Sequence, residues 1–304
     1  MKNVVISMFV FPWEIDALER VLMSLKEASC FCDDNVRYTL SITLDITDKR
    51  TDWNKSIIPS SFFRDKFENL KTLCNWCNVD FDYNEQNDCF GSAAKRRKDS
   101  IKYKDKCDAF IWLDPDMYFP MHILQVLNVG LNSIKDKLYI LTPELIRYWD
   151  SSWDVIVNKN FLNEPHNHRD YFDMYSVNKV AQEIDSPYIS KLDNGTIKFG
   201  GGWFTCISHD LMQTVTVPDF IGEYGPDDTW LTHFSYEYNR SKRSVVVSQH
   251  VMKNVVVTEI GKKYIVENPY KKYLSLNPID IDAHKSKVWE EFGTKLKEHI
   301  SKTV

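Results

Sequence analysis

The regular exchange of apolar runs for amphipathic stretches constrains this chain most. Val4–Val10 is continuously apolar, the pattern of a strand buried on both faces of a parallel sheet. Residues 13–28 follow at once, with Ile15, Leu18, Val21, Leu22 and Leu25 spaced to share one helical face. Residues 36–46 are rich in β-branched side chains and end near Asp45, which reads as a second strand. A segment around Phe62, Phe63, Phe67 and Leu70 reads as helical, and residues 91–105 as a basic helix. A short apolar strand, Ala109–Leu113, comes next, then a helix over about 121–134 and a strand at Tyr139–Thr142. Farther on, a helix is expected after Gly225-Pro226, a strand at 244–249 and a charged helix from about 284 to 301. Such alternation predicts an α/β fold with a mostly parallel central sheet flanked by helices. Ligands of such sheets bind beyond the carboxyl ends of the strands.

Composition narrows the functional class. Apolar residues make up 43% of the 304 and charged residues 27%, enough apolar surface to offset the entropy of ordering. Lys and Arg number 38 against 43 Asp and Glu, so the net charge of −5 gives no overall pull toward nucleic acid. No run approaches the ~20 apolar residues of a membrane span. The first residues faintly imitate a signal peptide but lack a small-residue cleavage site, and they read as the first strand. The seven cysteines are an odd count for a disulfide framework. Cys74 and Cys77 have zinc-like spacing without a second pair at ribbon or finger distance, so they read as reduced thiols of a cytoplasmic protein.

Polar residues at the strand ends carry the candidate chemistry. Phe110-Ile111-Trp112-Leu113 runs straight into Asp114-Pro115-Asp116. Residues two apart in extended chain point the same way, and Pro115 biases Asp114 toward that conformation. Two carboxylates aimed together repel unless a cation lies between them, so a divalent metal is one reading and a polar turn the other. Before that strand lies Gly91-Ser92-Ala93-Ala94-Lys95-Arg96-Arg97-Lys98, which by itself reads as a solvated helix face, although planar guanidinium groups also suit phosphate oxygens. Farther along, Gly200, Gly201 and Gly202 precede Trp203, and Gly225-Pro226-Asp227-Asp228 opens the expected helix, where an aspartate also serves as an N-cap. The strand Val245–Gln249 ends at His250.

The order of these motifs resembles the GT-A glycosyltransferases, closest to family 2 and other inverting families. The resemblance spans about residues 3–250. It rests on an apolar strand and helix, an Asp ending strand two, G-x-x-x-x-R, D-x-D, Gly-Gly, G-x-D-D and a His. The sequence departs at Lys95, where the family has a small residue, at Arg97, usually Asn, at Tyr224 for Trp, and at Trp230 for the last acid. The resemblance implies a GT-A (Rossmann-like) domain over 1–270, with a nucleotide-sugar half to 120 and an acceptor half from 121. It implies Phe9, Val10, Phe11 and Asp45 at the nucleobase and Arg96 at the diphosphate. The metal, Mn²⁺ or Mg²⁺, is then held by Asp116 and His250 with Asp114 nearby, and the mixed O/N set favours Mn²⁺. Asp228 aligns with the catalytic base, with Asp227 the alternative. Gly201, Gly202 and Trp203 fall at the donor or acceptor sugar.

The implied activity moves a sugar from a nucleoside-diphosphate donor, UDP by family expectation, to a glycan, lipid or protein hydroxyl with inversion. A retaining GT-A transferase, a sugar nucleotidyltransferase and a non-catalytic sugar-binding module stand as alternatives. The aromatic residues Trp149, Trp153, Tyr171 and Phe172 are expected at the acceptor, while His166 and His168 carry no assigned role. The tail 271–304 has no counterpart in the resemblance, and its helix is expected to pack on the domain, form a homodimer or touch a membrane surface.

Overall fold

A computed structural model of the chain describes residues 1–32, 35–86, 91–147, 182–183, 188–192, 197, 201–222, 227–241, 244–259, 270–277 and 281–303. The expectations for Trp149, Trp153, His166, His168, Tyr171, Phe172, Gly200 and 223–226 lie outside these residues.

Ten strands form one sheet among the described residues. They are β1 (Lys2–Val10), β2 (Val36–Asp45), β3 (Asn78–Asn84), β4 (Ala109–Leu113), β5 (Met117–Tyr118), β6 (Tyr139–Arg147), β7 (Gln182–Glu183), β8 (Ile189–Lys191), β9 (Trp203–Ser208) and β10 (Ser248–Glu259). The order is β3-β2-β1-β4-β9-β6-β10-β8-β7, with β5 paired to β10. β1 to β4 run parallel to one another, β6 and β10 are parallel to each other, and β9 runs against both β4 and β6. The sheet is therefore mixed and mostly parallel, as the alternation of the sequence requires.

Helices cover both faces. They are α1 (Ile15–Ser29), α2 (Ser60–Leu70), α3 (Ser92–Lys102), α4 (Ile123–Ser133), α5 (His209–Thr214), α6 (Asp227–Arg240) and α7 (Ile281–Thr303). Side chains alternate across each strand. Val4, Ile6, Met8 and Val10 of β1 thus join the core under α1, α2 and α4, whereas Val5 faces the core under α3, α5, α6 and α7. β4 divides in the same way, with Ile111 and Leu113 on one face and Phe110 and Trp112 on the other. A run buried on both faces is apolar almost throughout, and the exception in Val4–Val10, Ser7, is buried with its hydroxyl bonded to Asp99.

Three differences from the expected elements have physical causes. β3 was not expected, because Val79-Asp80-Phe81-Asp82-Tyr83 reads as a polar stretch; it is an edge strand, and carboxylates guard such edges. The last long strand begins at Ser248 rather than 244, because Asn239 of α6 holds Val247 through both its backbone N–H (2.7 Å) and its carbonyl (2.9 Å). β9 was read only as a glycine patch, although its six residues are all buried. The tail helix packs on the domain, with Val288, Phe292 and Leu296 buried and Phe292 set edge-on to Trp230 of α6. Among the described residues no helix is long and apolar enough to cross a membrane.

Candidate active site

The carboxyl ends of β1, β2 and β4 lie at one edge of the sheet, since Val10 pairs with Leu44 and Ser7 with Trp112. Asp114 follows β4 directly. Its backbone N–H donates to Gly202 O at 2.6 Å, because β9 runs antiparallel to β4 and brings the glycine patch back to the aspartate motif. A Cβ at Gly202 would overlap the Asp114 carboxylate, so any side chain there must displace that carboxylate. The ladder is irregular here: register shifts between Trp112 and Leu113, and Phe204 opposite them takes φ 136°, a strained value for a side-chain-bearing residue.

Arg96 ties the two aspartate motifs together. Its Nη2 donates to Asp114 Oδ1 at 2.9 Å and its Nη1 to Asp227 Oδ2, while the guanidinium lies 5.0 Å from the Trp112 ring centroid. Asp227 is buried with the arginine, but the Asp114 side chain remains 44% exposed. The fork thus joins a buried carboxylate to one that opens on solvent. The residue before it does something else. Lys95 Nζ is enclosed by Asp99 Oδ1 (2.9 Å) and Ser41 Oγ (2.8 Å), and Asp99 also accepts from Ser7 Oγ (2.7 Å). The lysine and aspartate are each under 5% exposed. That closed network fastens α3 to β1 and β2 and so fixes where Arg96 stands. A small residue at position 95 would leave Asp99 without its cation.

Asp228 stands beside Asp227 in the first turn of α6. Its Oδ1 accepts the Thr229 N–H at 2.7 Å. Burial and the neighbouring Asp227 charge push its carboxyl up to about 6, against the Thr229 hydrogen bond and Arg96. A carboxylate with that pKa is ionised at neutral pH and basic enough to take a proton, which is the condition for a general base.

The end of β1 carries an aromatic group set apart from the two main cores. Phe9 and Phe11 meet edge to face at 5.3 Å, Phe11 stacks on Trp13 at 4.7 Å, and Arg50 lies 5.2 Å from the Phe11 ring centroid. Val10 points the other way, into the core under α1. Asp45 ends β2, fully buried. Its Oδ1 accepts from Thr47 N (3.1 Å), Thr47 Oγ1 (2.8 Å) and Asn84 Nδ2 (3.2 Å), while Oδ2 is buried with no hydrogen-bond partner. Burial pushes this carboxyl up to about 6. Sequence reasoning missed Arg50 and Asn84. Asn84 is signalled only by its place at the end of an unexpected edge strand, and Arg50 sits in a loop with no pattern at all.

Other expected members are not brought here. His250 pairs with Leu141, Leu141 with Cys206, and Cys206 with Ile111. The histidine is therefore level with Ile111, three residues short of Asp114, and three strand spacings of ~4.8 Å away. It is fully buried, and its Nε2 lies 3.0 Å from both Asp136 Oδ2 and Ser248 Oγ. Burial lowers its pKa to about 4. It is no partner of Asp116, because β10 runs on past it to Thr258 and Glu259 before it meets β5, the strand that follows Asp116. Nor is this a catalytic triad, since one ring nitrogen contacts both Ser and Asp while the other, Nδ1, is buried with no hydrogen-bond partner to orient the ring. Trp203 is a core residue. Its ring covers Gly201, and the residue is 8% exposed, as buried as Phe11.

The donor set left for a cation is all oxygen. Asp114 is accessible and Asp116, two residues on, is buried. Among the described residues no three His, Cys, Asp or Glu side chains converge. A hard cation held by one or two carboxylates, substrate phosphates and water needs no third side chain, so the residues fit such an ion. The loss of His250 removes the chemical reason to prefer Mn²⁺ over Mg²⁺.

No protein-family model matches the sequence, and no curated protein sequence matches it. The chain is similar in structure to S. aureus TarS, with TM-score 0.49 and 12% identity over 88% of this chain and 38% of TarS. It is also similar to TarS 1–349, with TM-score 0.46 and 12% identity over 96% of this chain and 70% of the fragment. The same fragment in complex with UDP gives TM-score 0.46 and 12% identity, over 96% of this chain and 71% of that one. Likeness of this degree assigns no chemistry to the chain.

Proposed function

We propose that this chain is an inverting glycosyltransferase of the GT-A type, taking a sugar from a nucleoside-diphosphate donor to an acceptor hydroxyl. The observation that carries the reading is the Arg96 fork, which joins Asp114 at the end of β4 to Asp227 at the start of α6. It supports the reading because it joins Asp114 of the D-x-D motif, a guanidinium of the shape that suits phosphate, and Asp227, the neighbour of Asp228. The base of the nucleotide lies against Phe9 and Phe11, with Asp45 Oδ2 accepting one of its N–H groups. Asp114 and Asp116 would hold a divalent cation, whose chemistry is to offset charge on the leaving diphosphate. Arg96 stabilises the same developing charge. Asp228 Oδ takes the acceptor proton as the acceptor oxygen attacks C1 of the sugar, and in-line displacement inverts that centre.

The test is a thermal-shift panel of UDP, GDP, CMP, dTDP and ATP, each with Mn²⁺, Mg²⁺ or EDTA. A ligand that binds only the native state raises stability by RT ln(1 + [L]/Kd). The expected result is a shift for one nucleoside diphosphate that EDTA removes. A shift with ATP alone would favour a nucleotidyltransferase. No shift with any nucleotide would overturn the reading.

A further inference from the structure

Arg97, the residue after the fork, touches neither aspartate motif. Its Nη1 donates to Pro218 O at 3.0 Å and to Gly222 O at 3.4 Å, and its Nη2 donates to Gly222 O at 2.8 Å. Nε lies 3.1 Å from Asp219 Oδ1. The arginine is 16% exposed and Asp219 is 98% exposed, so the carbonyl contacts are the sheltered part of this grip. The carbonyls belong to the turn Asp219–Ile221 and its two flanking residues. Gly222 takes φ 75°, which a side-chain-bearing residue adopts only with strain, and that conformation accompanies a carbonyl turned toward the guanidinium. Ile221 is fully buried in the core that holds Trp230 of α6, and Phe220 meets Trp230 edge to face at 5.5 Å. Five residues beyond Gly222 stands Asp227, held by Arg96. Two consecutive arginines of one helix therefore hold the turn that packs on Trp230 of α6 and the first residue of α6.

We infer that Arg97 is a positioning residue for the base: by holding Pro218 and Gly222 it fixes where α6 starts, and with it Asp227 and Asp228. The inference rests on the proposed transferase reading. A planar fork can hold two carbonyls at once, and an ammonium cannot do so in the same geometry. A displacement of about 1 Å at a catalytic group costs up to about 100-fold in rate. The donor contacts proposed above come from β1, β2, the end of β4 and Arg96, and none of these is a hydrogen-bond or ion-pair partner that the structure gives Arg97.

The experiment compares wild type with Arg97→Ala, Arg97→Lys and Asp219→Ala. Two readouts are used: UDP release from UDP-N-acetylglucosamine and UDP-glucose with water as acceptor, and hydrogen exchange followed by peptide. For Arg97→Ala the inference expects kcat to fall tenfold or more, with the KM for the sugar nucleotide within twofold of wild type. Amides of 219–222 and 227–232 should exchange at least tenfold faster while α1 and β1 stay protected. Arg97→Lys should recover only part of the rate, and Asp219→Ala should behave as wild type. An unchanged kcat, a loss carried by KM, or exchange rising equally across the molecule would each overturn the inference. Wild type that releases no UDP would count against the transferase reading, and the exchange pattern would then decide alone whether Arg97 holds this segment.

Discussion

Two polar clusters are set into one sheet, and they are built in opposite senses. On β10, His250 is sealed from solvent, and Asp136 faces it while also taking Lys191 at 2.8 Å. Off the end of β4, Arg96 holds one buried carboxylate and one that is open to water. Both clusters contain an acid and a nitrogen base at hydrogen-bond distance, and residue type alone does not tell them apart. What separates them is where the partners lead. The β10 cluster lies between neighbouring strands, with His250 Nδ1 buried without a hydrogen-bond partner and only Asp136, 30% exposed, reaching solvent. The β4 cluster leaves Asp114 accessible at the carboxyl edge and Asp228 raised to about 6 beside it. The β4 cluster is the one that stands at the carboxyl edge of the sheet, where ligands of such sheets bind.

The strongest way to break this contrast is Arg96→Gln. It leaves Asp227 buried without a cation, which costs about 3 kcal/mol or more of stability, and it should abolish any nucleotide-dependent thermal shift. The same measurement on His250→Asn should show a lower melting temperature, by about 1–3 kcal/mol of stability, with the nucleotide shift intact. If His250→Asn instead removed the nucleotide shift, the two clusters would be one site. Gly202→Ala should sharpen the difference, since the new methyl meets the flexible end of Asp114 rather than backbone. The fold is then expected to hold while nucleotide affinity falls about tenfold, roughly 1.4 kcal/mol, by titration calorimetry.

The smallest effect is in the pH dependence, where the two regions pull in opposite directions. His250 has a folded pKa of about 4, below its unfolded value, so the unfolded chain binds the proton first. Its contribution is fully present above about pH 6.5 and is lost as pH falls to about 4. Asp45 has a folded pKa of about 6, above its unfolded value, so its contribution is present below about pH 4 and lost as pH rises through 6. In urea titrations from pH 4 to 8, Asp45→Asn should gain on wild type as pH rises. His250→Asn should gain on wild type as pH falls. Parallel curves for either variant would contradict its assignment.

Much of the fold was legible because its signals are local. Val4–Val10, with Ser7 its one polar residue, and Ala109–Leu113 sit between two layers of helices, and the face of α1 repeats at helical spacing. β3 was not legible, since an edge strand with Asp80 and Asp82 looks like a loop. The start of β10 was not legible because Asn239, far back on α6, decides it. The site divides in the same way. Asp114, Arg96 and Asp228 could be read from motif order, and the structure brings them to one edge. His250 misled because a histidine at the end of an apolar strand looks alike whether it faces a crevice or another strand. Trp203 misled because an aromatic after glycines reads equally as a sugar platform and as core. Arg97 was visible only as a departure from the family pattern, since the carbonyls it holds carry no sequence signal.

The central claim is that Asp228 is the base of a site whose donor-binding parts lie on other elements. The direct measurement sets Asp228→Asn beside wild type, following UDP release from UDP-sugars together with the thermal shift given by the nucleoside diphosphate. The amide keeps the size of the side chain and removes its basicity. Removing a general base costs on the order of 100- to 10,000-fold in rate. The account predicts a loss in that range with the nucleotide shift unchanged. A variant that releases UDP at the wild-type rate, or one that loses activity and nucleotide binding together, would contradict it.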